Sequence, residues 1–503
     1  MSRPQGHYLK SLTEIAAHLG LQDPEVDVEI SGLTHDSREV RPGDLYVALA
    51  GFRMHGARFA DSASAQGAKA VLTDTGGVKF LNELQIPVLC SDDVRGKLGD
   101  LSAWFYDFPS TRFNLVGVTG TNGKTTTAHL IDSVWRSVHR NTGLIGTIET
   151  RIRENSTPSI RTTPEATDLQ AIFAKMFEEE CSDVVMEVSS HALSLGRVSG
   201  THFAVAVFTN LSQDHLDFHA DMDDYFKAKA MLFSPNFSDL AVINIDDKYG
   251  LELARLSKIP TQTFSATKVD SDWQISRISR SEGGSEFMVQ SREYGLLTVE
   301  IPLIGDHNVS NALAALIVLV HSGLPLQTAI MGLARVSGVP GRLERIDRGQ
   351  PFSAIVDYAH TPDAVERILE GLRAHSTGRI IGVLGCGGDR DPSKRPLMGA
   401  ALARGADIAF LTSDNPRSED PYQIIAQMAS GAHGVTGSDI RVEVDRAIAI
   451  SLAVELAKAG DIVLIAGKGH EQGQESLGVI KPFDDREVLA HALDRRMSRG
   501  EFL

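Results

Sequence analysis

Short, nearly continuous apolar runs recur along the chain. They are separated by longer stretches in which apolar residues return every third or fourth position. Continuous apolar runs suit strands buried on both faces, and the wider spacing suits helices, so their alternation predicts an α/β protein built on parallel sheets. In residues 1–110 the runs at 44–49, 70–72 and 87–89 predict a small α/β domain. In residues 111–338 the runs at 115–118, 183–188, 204–209 and 241–245 predict a mostly parallel sheet, with an alanine-rich helix following Gly305 and Asp306. The breaker Val339, Pro340, Gly341, Arg342 reads as a hinge. Beyond it, in residues 339–503, the runs at 353–356, 380–384, 408–411 and 462–465 predict a second, doubly wound α/β domain.

At 503 residues the chain is long enough for about three domains. A formal charge of -16 without long basic runs argues against nucleic acid as the main partner, so any anionic ligand must meet local cations. The cysteines Cys90, Cys181 and Cys386 lack metal-ligand spacing, which leaves a reducing cytoplasm as the expected setting. The opening MSRPQGHYLK has no apolar signal core, and the apolar stretch 312–320 is too short to span a bilayer, so no membrane insertion is expected.

The strongest chemical signal is Gly120, Thr121, Asn122, Gly123, Lys124, Thr125, Thr126, set between the 115–118 strand and a helix over 124–138. Glycines let backbone N–H groups approach phosphates, the helix dipole adds positive charge, Lys124 reaches the outer phosphates and the Thr125 hydroxyl suits magnesium. Val118 stands where the longer P-loop has its first glycine, so this is the short form of the motif, and an ATP site is favoured over a simple turn. Further polar groups follow the central strands: Thr162, Thr163 and Pro164; Glu187 to His191 with Arg197; and Asn210 to Asp217. Glu187 stands where a magnesium ligand is needed, while Ser189 and Ser190 also read as a helix cap. Lys229, alone on a helix-like stretch 224–233, reads from the residues as a solvated surface group.

In the last domain polar clusters follow each run: Asp357 to His360, Gly385 to Arg390, Asp414 to Arg417 and Gly467 to Glu471. Ligands bind at the carboxyl ends of parallel strands, so these clusters mark one pocket. Arg390 occupies the last glycine position of a dinucleotide fingerprint, and His470-Glu471 lacks the second histidine of a zinc protease, so both readings fail. In the first domain His35 to Arg38 and Phe52, Arg53, Met54 are binding residues or capped turns with equal warrant.

Gly-Thr-Asn-Gly-Lys-Thr-Thr, Glu-Val-Ser-Ser-His, Asp-His-Leu-Asp, Asp-Tyr-Ala-His-Thr-Pro-Asp and Gly-Lys-Gly-His-Glu, in this order, closely resemble the Mur ligases of peptidoglycan synthesis. The resemblance implies three domains: a nucleotide-sugar domain, a P-loop ATPase-type domain and a Rossmann-like amino-acid domain. It implies a cytoplasmic, monomeric ATP-dependent amide ligase that forms an acyl phosphate on UDP-N-acetylmuramoyl-L-alanyl-D-glutamate. Lys124, Glu187, His215 and Lys229 are then catalytic. Thr125, Glu187, His215 and a carbamylated Lys229 hold Mg²⁺, and Asn308, Arg342 and Asp357 surround the nucleotide base and ribose. His35, Ser37, Phe52, Arg53 and Met54 match the uridine-nucleotide site; Thr162, Thr163, Ser189 and Arg197 match contacts to the rest of that substrate. Arg161 and Leu195 depart from residues common in the family, and no contacts are carried over to them. Arg390, Asp414, Asn415, Pro416, Arg417, Gly467 and Glu471 match an amino-acid pocket whose Asp-Asn-Pro-Arg form implies meso-diaminopimelate. A folylpoly-γ-glutamate synthetase would lack that motif and the first domain, whereas a P-loop NTPase switch would release phosphate without an amine.

Overall fold

The structure, a computed structural model of the 503-residue chain, describes residues 3–6, 8–51, 54–81, 84–267, 270–281, 284–374 and 378–499. Phe52 and Arg53 lie outside the described residues.

The first sheet carries four parallel strands in chain order, Gly32–Thr34, Asp44–Ala48, Ala70–Thr73 and Val88–Cys90. Helix Leu12–Leu19 opens on a capping box between Ser11 and Glu14 and stops at Gly20, whose left-handed backbone (φ 68°) suits glycine. Its Leu12, Ile15 and Leu19 join Leu45, Leu72, Leu101 and Phe105 in a core that also takes in Ala171 and Ala174 of the next unit. The first sheet is therefore seated on helix Ala166–Glu178.

The central sheet has eleven strands. Asn114–Thr119 lies in its middle, between Asp183–Glu187 and Phe203–Phe208 and parallel to both. These strands are buried almost throughout, as their apolar runs predict. Parallel pairing extends from Thr142–Ile145 on one side to Trp273–Ser281 on the other. Antiparallel strands flank it: Glu149–Ile152 and Asn155–Pro158 at one edge, Gly284–Ser291 and Gly295–Ile301 at the other. The sequence reading missed these flanks because none forms a continuous apolar run: Gly284–Ser291 and Gly295–Ile301 alternate buried and exposed residues, and Asn155–Pro158 is exposed throughout. Helices Lys124–Ser137 and Asp306–His321 cover one face through Ile131, Val134, Trp135, Leu313 and Ile317. Helix Ala166–Glu178 covers the other through Ile172, Phe173 and Met176.

The last sheet runs Glu344–Arg345, Ser353–Asp357, Ile462–Ala466, Ile380–Cys386, Ile408–Ser413, Asp439–Val442, parallel except for its short first strand. Strand order reverses around Ile462–Ala466, which gathers the loops after four strands at one edge. A hairpin, Gly473–Ser476 with Val479–Pro482, projects beside them. The 339–342 segment packs against this edge: Gly341 has φ 65°, and a Cβ there would lie 2.3 Å from the His470 nitrogen. Gly341→Ala is accordingly expected to destabilise the fold by about 1–3 kcal/mol, from a left-handed backbone and an overlap together, read as a lowered thermal midpoint. An unchanged midpoint would show that the segment yields freely.

Candidate active site

Because Asn114–Thr119 is flanked by Asp183–Glu187 and Phe203–Phe208, the three following loops meet at the sheet edge. Thr209 donates to the Asn122 carbonyl at 2.6 Å, Asn210 accepts from the Asn122 N–H at 3.0 Å, and Thr121 donates to the Ser212 carbonyl at 3.1 Å. The phosphate-type loop is thus braced by the strand beside it. Gly120 (φ 148°) leaves no room for a side chain, since a Cβ would sit 1.9 Å from the Thr209 hydroxyl.

Glu187 is completely buried. Its carboxylate accepts from the Thr125 hydroxyl at 3.0 Å, the Thr147 hydroxyl at 3.0 Å and the Thr147 N–H at 2.7 Å. Arg342, the last residue of the 339–342 breaker, donates to the same Thr125 hydroxyl at 3.1 Å. No cation forms an ion pair with Glu187 among the described residues. Nor do three His, Cys, Asp or Glu side chains there converge as a ready metal cage. One carboxylate and neighbouring hydroxyls nevertheless fit magnesium, which is held by few protein oxygens and completes its shell with water and phosphate.

Lys229 lies on helix Met222–Ala230, and the expectation of a solvated surface group is overturned: it is 1% exposed. Its Nζ donates to the Gly120 carbonyl at 2.9 Å and stands 4.7 Å from the Tyr225 ring centroid. Burial, then the nearby Lys124 ammonium, holds its pKa well below the ordinary lysine value, against a smaller opposing pull from Asp214. Lys124 folds over its own loop, donating to the Gly120 and Thr121 carbonyls at 2.9 Å each, and burial lowers its pKa too. His215, in a left-handed backbone (φ 57°), is pushed down to about 3 by burial, with Asp214 Oδ2 3.5 Å away. Burial therefore favours a neutral imidazole at His215 and works against the ammonium form of Lys229.

These groups line a cavity of about 860 Å³ between the central and last sheets. Thr162, Thr163, Ser189 and Arg197 line it as well. Thr163 donates to the Glu187 carbonyl at 2.9 Å and accepts from the Ser189 N–H at 3.0 Å; Ser189 caps helix Ser190–Ser194; Arg197 pairs with Glu165 at 2.8 Å. From the last sheet come Arg390, Asn415 and Glu471. Fully buried Lys468 donates to Asn415 Oδ1 at 3.1 Å and Glu471 Oε2 at 2.8 Å, fixing both. Asp414, Pro416, Arg417 and Gly467 do not line this cavity. Arg417 instead donates to the Gly388 carbonyl at 2.6 Å and faces Glu475 at 3.4 Å.

A second cavity, about 450 Å³, shares Asn122, Gly123 and Arg342 with the first and contains Thr126, Asn308 and Asp357. Asp357 accepts from the Leu343 and Ala359 N–H groups at 2.7 Å each, while burial raises its pKa. The two cavities thus meet at the loop, one leading toward Asn308 and the other toward Glu471.

His35, Ser37 and Met54 enter neither cavity. His35 Nδ1 contacts the Thr167 hydroxyl at 2.9 Å, the Ser37 carbonyl accepts from Gln66, and Met54 is exposed. Thr167 nonetheless belongs to helix Ala166–Glu178, whose cap residue Glu165 holds Arg197, so the first sheet abuts the cavity wall.

Several contacts here had no sign in the sequence. Asp214 stands 4.0 Å from His360 and 3.8 Å from Lys394, and Asp217 is 3.7 Å from Arg390, all across the domain seam. Asp363 accepts from Asn122 and Ser212 across the same seam. Buried Ser190 meets His219 at 2.9 Å, and His219 meets Asp224 at 3.0 Å. In the sequence, Asp214 and Asp217 stood within the polar run 210–217 and His360 within 357–360, but Lys394, His219 and Asp224 stood in no cluster.

Three family models match, described as "Mur ligase family, catalytic domain" over residues 29–106, "Mur ligase middle domain" over 118–319 and "Mur ligase, glutamate ligase domain" over 341–469. The chain belongs to the Mur ligase family. A Streptomyces coelicolor relative named UDP-N-acetylmuramoyl-L-alanyl-D-glutamate--2,6-diaminopimelate ligase is 52% identical, covering 96% of each chain. A Corynebacterium glutamicum relative with that name is 46% identical, covering 93% of each. A solved structure of a ligase so named superposes with TM-score 0.64 at 37% identity, covering 93% of this chain and 95% of that one. A Mycobacterium tuberculosis folylpolyglutamate synthase shares the fold, at TM-score 0.60 and 19% identity over 80% of this Mur ligase chain.

Proposed function

We propose that this Mur ligase joins meso-2,6-diaminopimelate to UDP-N-acetylmuramoyl-L-alanyl-D-glutamate, coupled to cleavage of ATP to ADP and phosphate. One observation carries the reading: the phosphate-type loop and, from the last domain, Arg390, Asn415, His470 and Glu471 open onto a single cavity across two domains. A nucleotide-driven switch has no use for an amino-acid pocket facing its phosphates. A carboxylate is a poor electrophile, so the γ-phosphoryl group is transferred to it, and the amine then attacks the acyl carbon as phosphate leaves.

Both steps gather negative charge, which the site must neutralise without water. Lys124 and the N–H groups of 120–126 would hold the outer phosphates, and Arg342 would orient Thr125 while reaching toward the nucleotide. Asn308 and Asp357, in the smaller cavity, would receive base and ribose. Thr125 and Glu187 would hold one magnesium ion and His215 with carbamylated Lys229 a second. When bound, the metal supplies Lewis-acid neutralisation of phosphate oxygens. Thr162, Thr163, Ser189 and Arg197 would orient the peptidyl end of the sugar nucleotide, with its uridine end at His35, Ser37 and the 52–54 turn. For the amine, Arg390, Asn415 and Glu471 are in direct reach of the cavity. Asp414, Pro416, Arg417 and Gly467 would shape it from behind.

The test is ATP-dependent phosphate release across a panel of amino acids, with and without the muramoyl dipeptide. Release is expected only with both substrates, and with meso-diaminopimelate favoured over L-lysine by roughly 30-fold to 1000-fold. That factor is the cost, about 2–4 kcal/mol, of leaving an arginine without its distal carboxylate. Comparable efficiency with L-lysine would defeat the substrate assignment; release without any amine would favour a switch.

A further inference from the structure

Arg395 sits in the first turn of helix Lys394–Gly405, where the helix dipole disfavours a cation, yet its side chain is only 1% exposed. Its guanidinium grips Glu419 in a two-pronged pair, Nη1 to Oε2 at 2.8 Å and Nη2 to Oε1 at 2.7 Å. It also donates to Gln427 Oε1 at 2.9 Å and to the Gly387 carbonyl at 3.3 Å. Neither Arg395 nor Glu419 lines either of the two cavities described above. A buried cation against the dipole needs a reason, and Glu419 indicates one: Oε1 also accepts from the Asp389 N–H at 2.5 Å.

Two loops are stitched together here. Ser418 donates its hydroxyl to Asp389 Oδ1 at 2.5 Å and its N–H to Oδ2 at 3.3 Å. The Gly388 N–H donates to the Asn415 carbonyl at 2.8 Å, and a Cβ on Gly388 would lie 2.0 Å from the Pro416 oxygen, so the backbones are in direct contact. At this seam two non-glycine residues hold left-handed backbones, Asp389 (φ 53°) and Arg417 (φ 51°). Such conformations persist only where surrounding bonds impose them. Asp389 immediately precedes Arg390, and Arg417 ends the Asp-Asn-Pro-Arg cluster. Both loops therefore carry their arginines on backbones held in place from behind.

We propose that the Arg395–Glu419 pair, acting through Asp389 and Ser418, is a positioning device that sets Arg390 and Asn415 at the spacing the incoming amino acid requires. The proposal rests on the amine-binding assignment of these loops given above. Removing Glu419 frees the Asp389 N–H, lets Asp389 relax from the left-handed region and swings Arg390. Because Asp389, Arg395, Ser418 and Glu419 line neither cavity, their removal reaches the reaction through Arg390 and Asn415 and falls chiefly on the amine.

The experiment is steady-state kinetics with all three substrates varied in turn. Glu419→Ala is expected to raise KM for meso-diaminopimelate by roughly 10-fold or more and to erode its preference over L-lysine. It should leave KM for ATP and the sugar nucleotide unchanged and kcat within about 3-fold. Should Glu419→Ala fail to fold with Arg395 left unpaired, Ser418→Ala spares that pair and should still raise the amine KM by about 3-fold. An unchanged amine KM in the folded variants, or a uniform change in all three KM values, overturns the proposal. The unmutated enzyme's amine panel judges the substrate separately: if another amine is preferred, the device is judged on that amine's KM.

Discussion

Lys229→Ala is expected to abolish ligation, by roughly 1000-fold or more, while nucleotide binding persists. Lys229 points into the cavity from a fully buried position, 2.9 Å from the Gly120 carbonyl and close enough to Lys124 for their charges to oppose each other. As an ammonium it would repel both its neighbour and a magnesium ion. Its lowered pKa makes the neutral amine available, and that is the form whose lone pair attacks carbon dioxide. The N–C bond forms, a proton leaves, and the product is an anion with two oxygens suited to a hard cation. Carbamylation would thereby invert the sign of charge at this point, and its loss is expected to cost on the scale of removing a preorganised electrostatic group. Short carboxylic acids should restore part of the Lys229→Ala activity by supplying the missing oxygens, and the unmutated enzyme should lose activity in bicarbonate-free buffer. A fully active Lys229→Ala variant without such additives would end the idea.

The sequence was most readable where one strand's apolar run and the polar residues after it are adjacent in the chain. The strand at Asn114–Thr119, its loop and helix Lys124–Ser137 were predicted nearly to the residue because every signal there is local. Lys229 was misread from its residues because its burial depends on Gly120, more than a hundred residues earlier and brought to it only by the fold. The spacing held a clue: position 229 lies four after Tyr225 and three before Leu232, both buried. The flanking antiparallel strands were missed since half-exposed strands lack a continuous apolar run. Within the amine cluster the residues could not tell Arg390, which reaches the cavity, from Arg417, whose guanidinium is turned to Gly388 and Glu475. That distinction lies in backbone geometry between loops. It is also why Lys394 carried no signal, and why Asp214 and His360, each noted at the end of its own strand, could not be paired across the domain seam.

Glu187→Gln separates function from stability at the same centre. The substitution keeps shape, and the amide oxygen can still accept from the Thr147 N–H that now lies 2.7 Å from Oε1. The amide nitrogen would face the Thr125 and Thr147 hydroxyls, now 3.0 Å from Oε2, and each can rotate to accept. What is lost is the negative charge, buried completely and without an ion pair among the described residues. A buried carboxylate satisfied only by hydroxyls and one N–H is costly to keep, so the thermal midpoint should stay level or rise. Activity should move the other way: kcat is expected to fall by roughly 100-fold to 1000-fold, and the magnesium concentration for half-maximal rate to rise. Opposite movement of the two readouts marks a residue kept for chemistry at the expense of stability. If kcat and the thermal midpoint fall together, Glu187 is holding the loop rather than serving the metal; if neither moves, its proposed role is wrong.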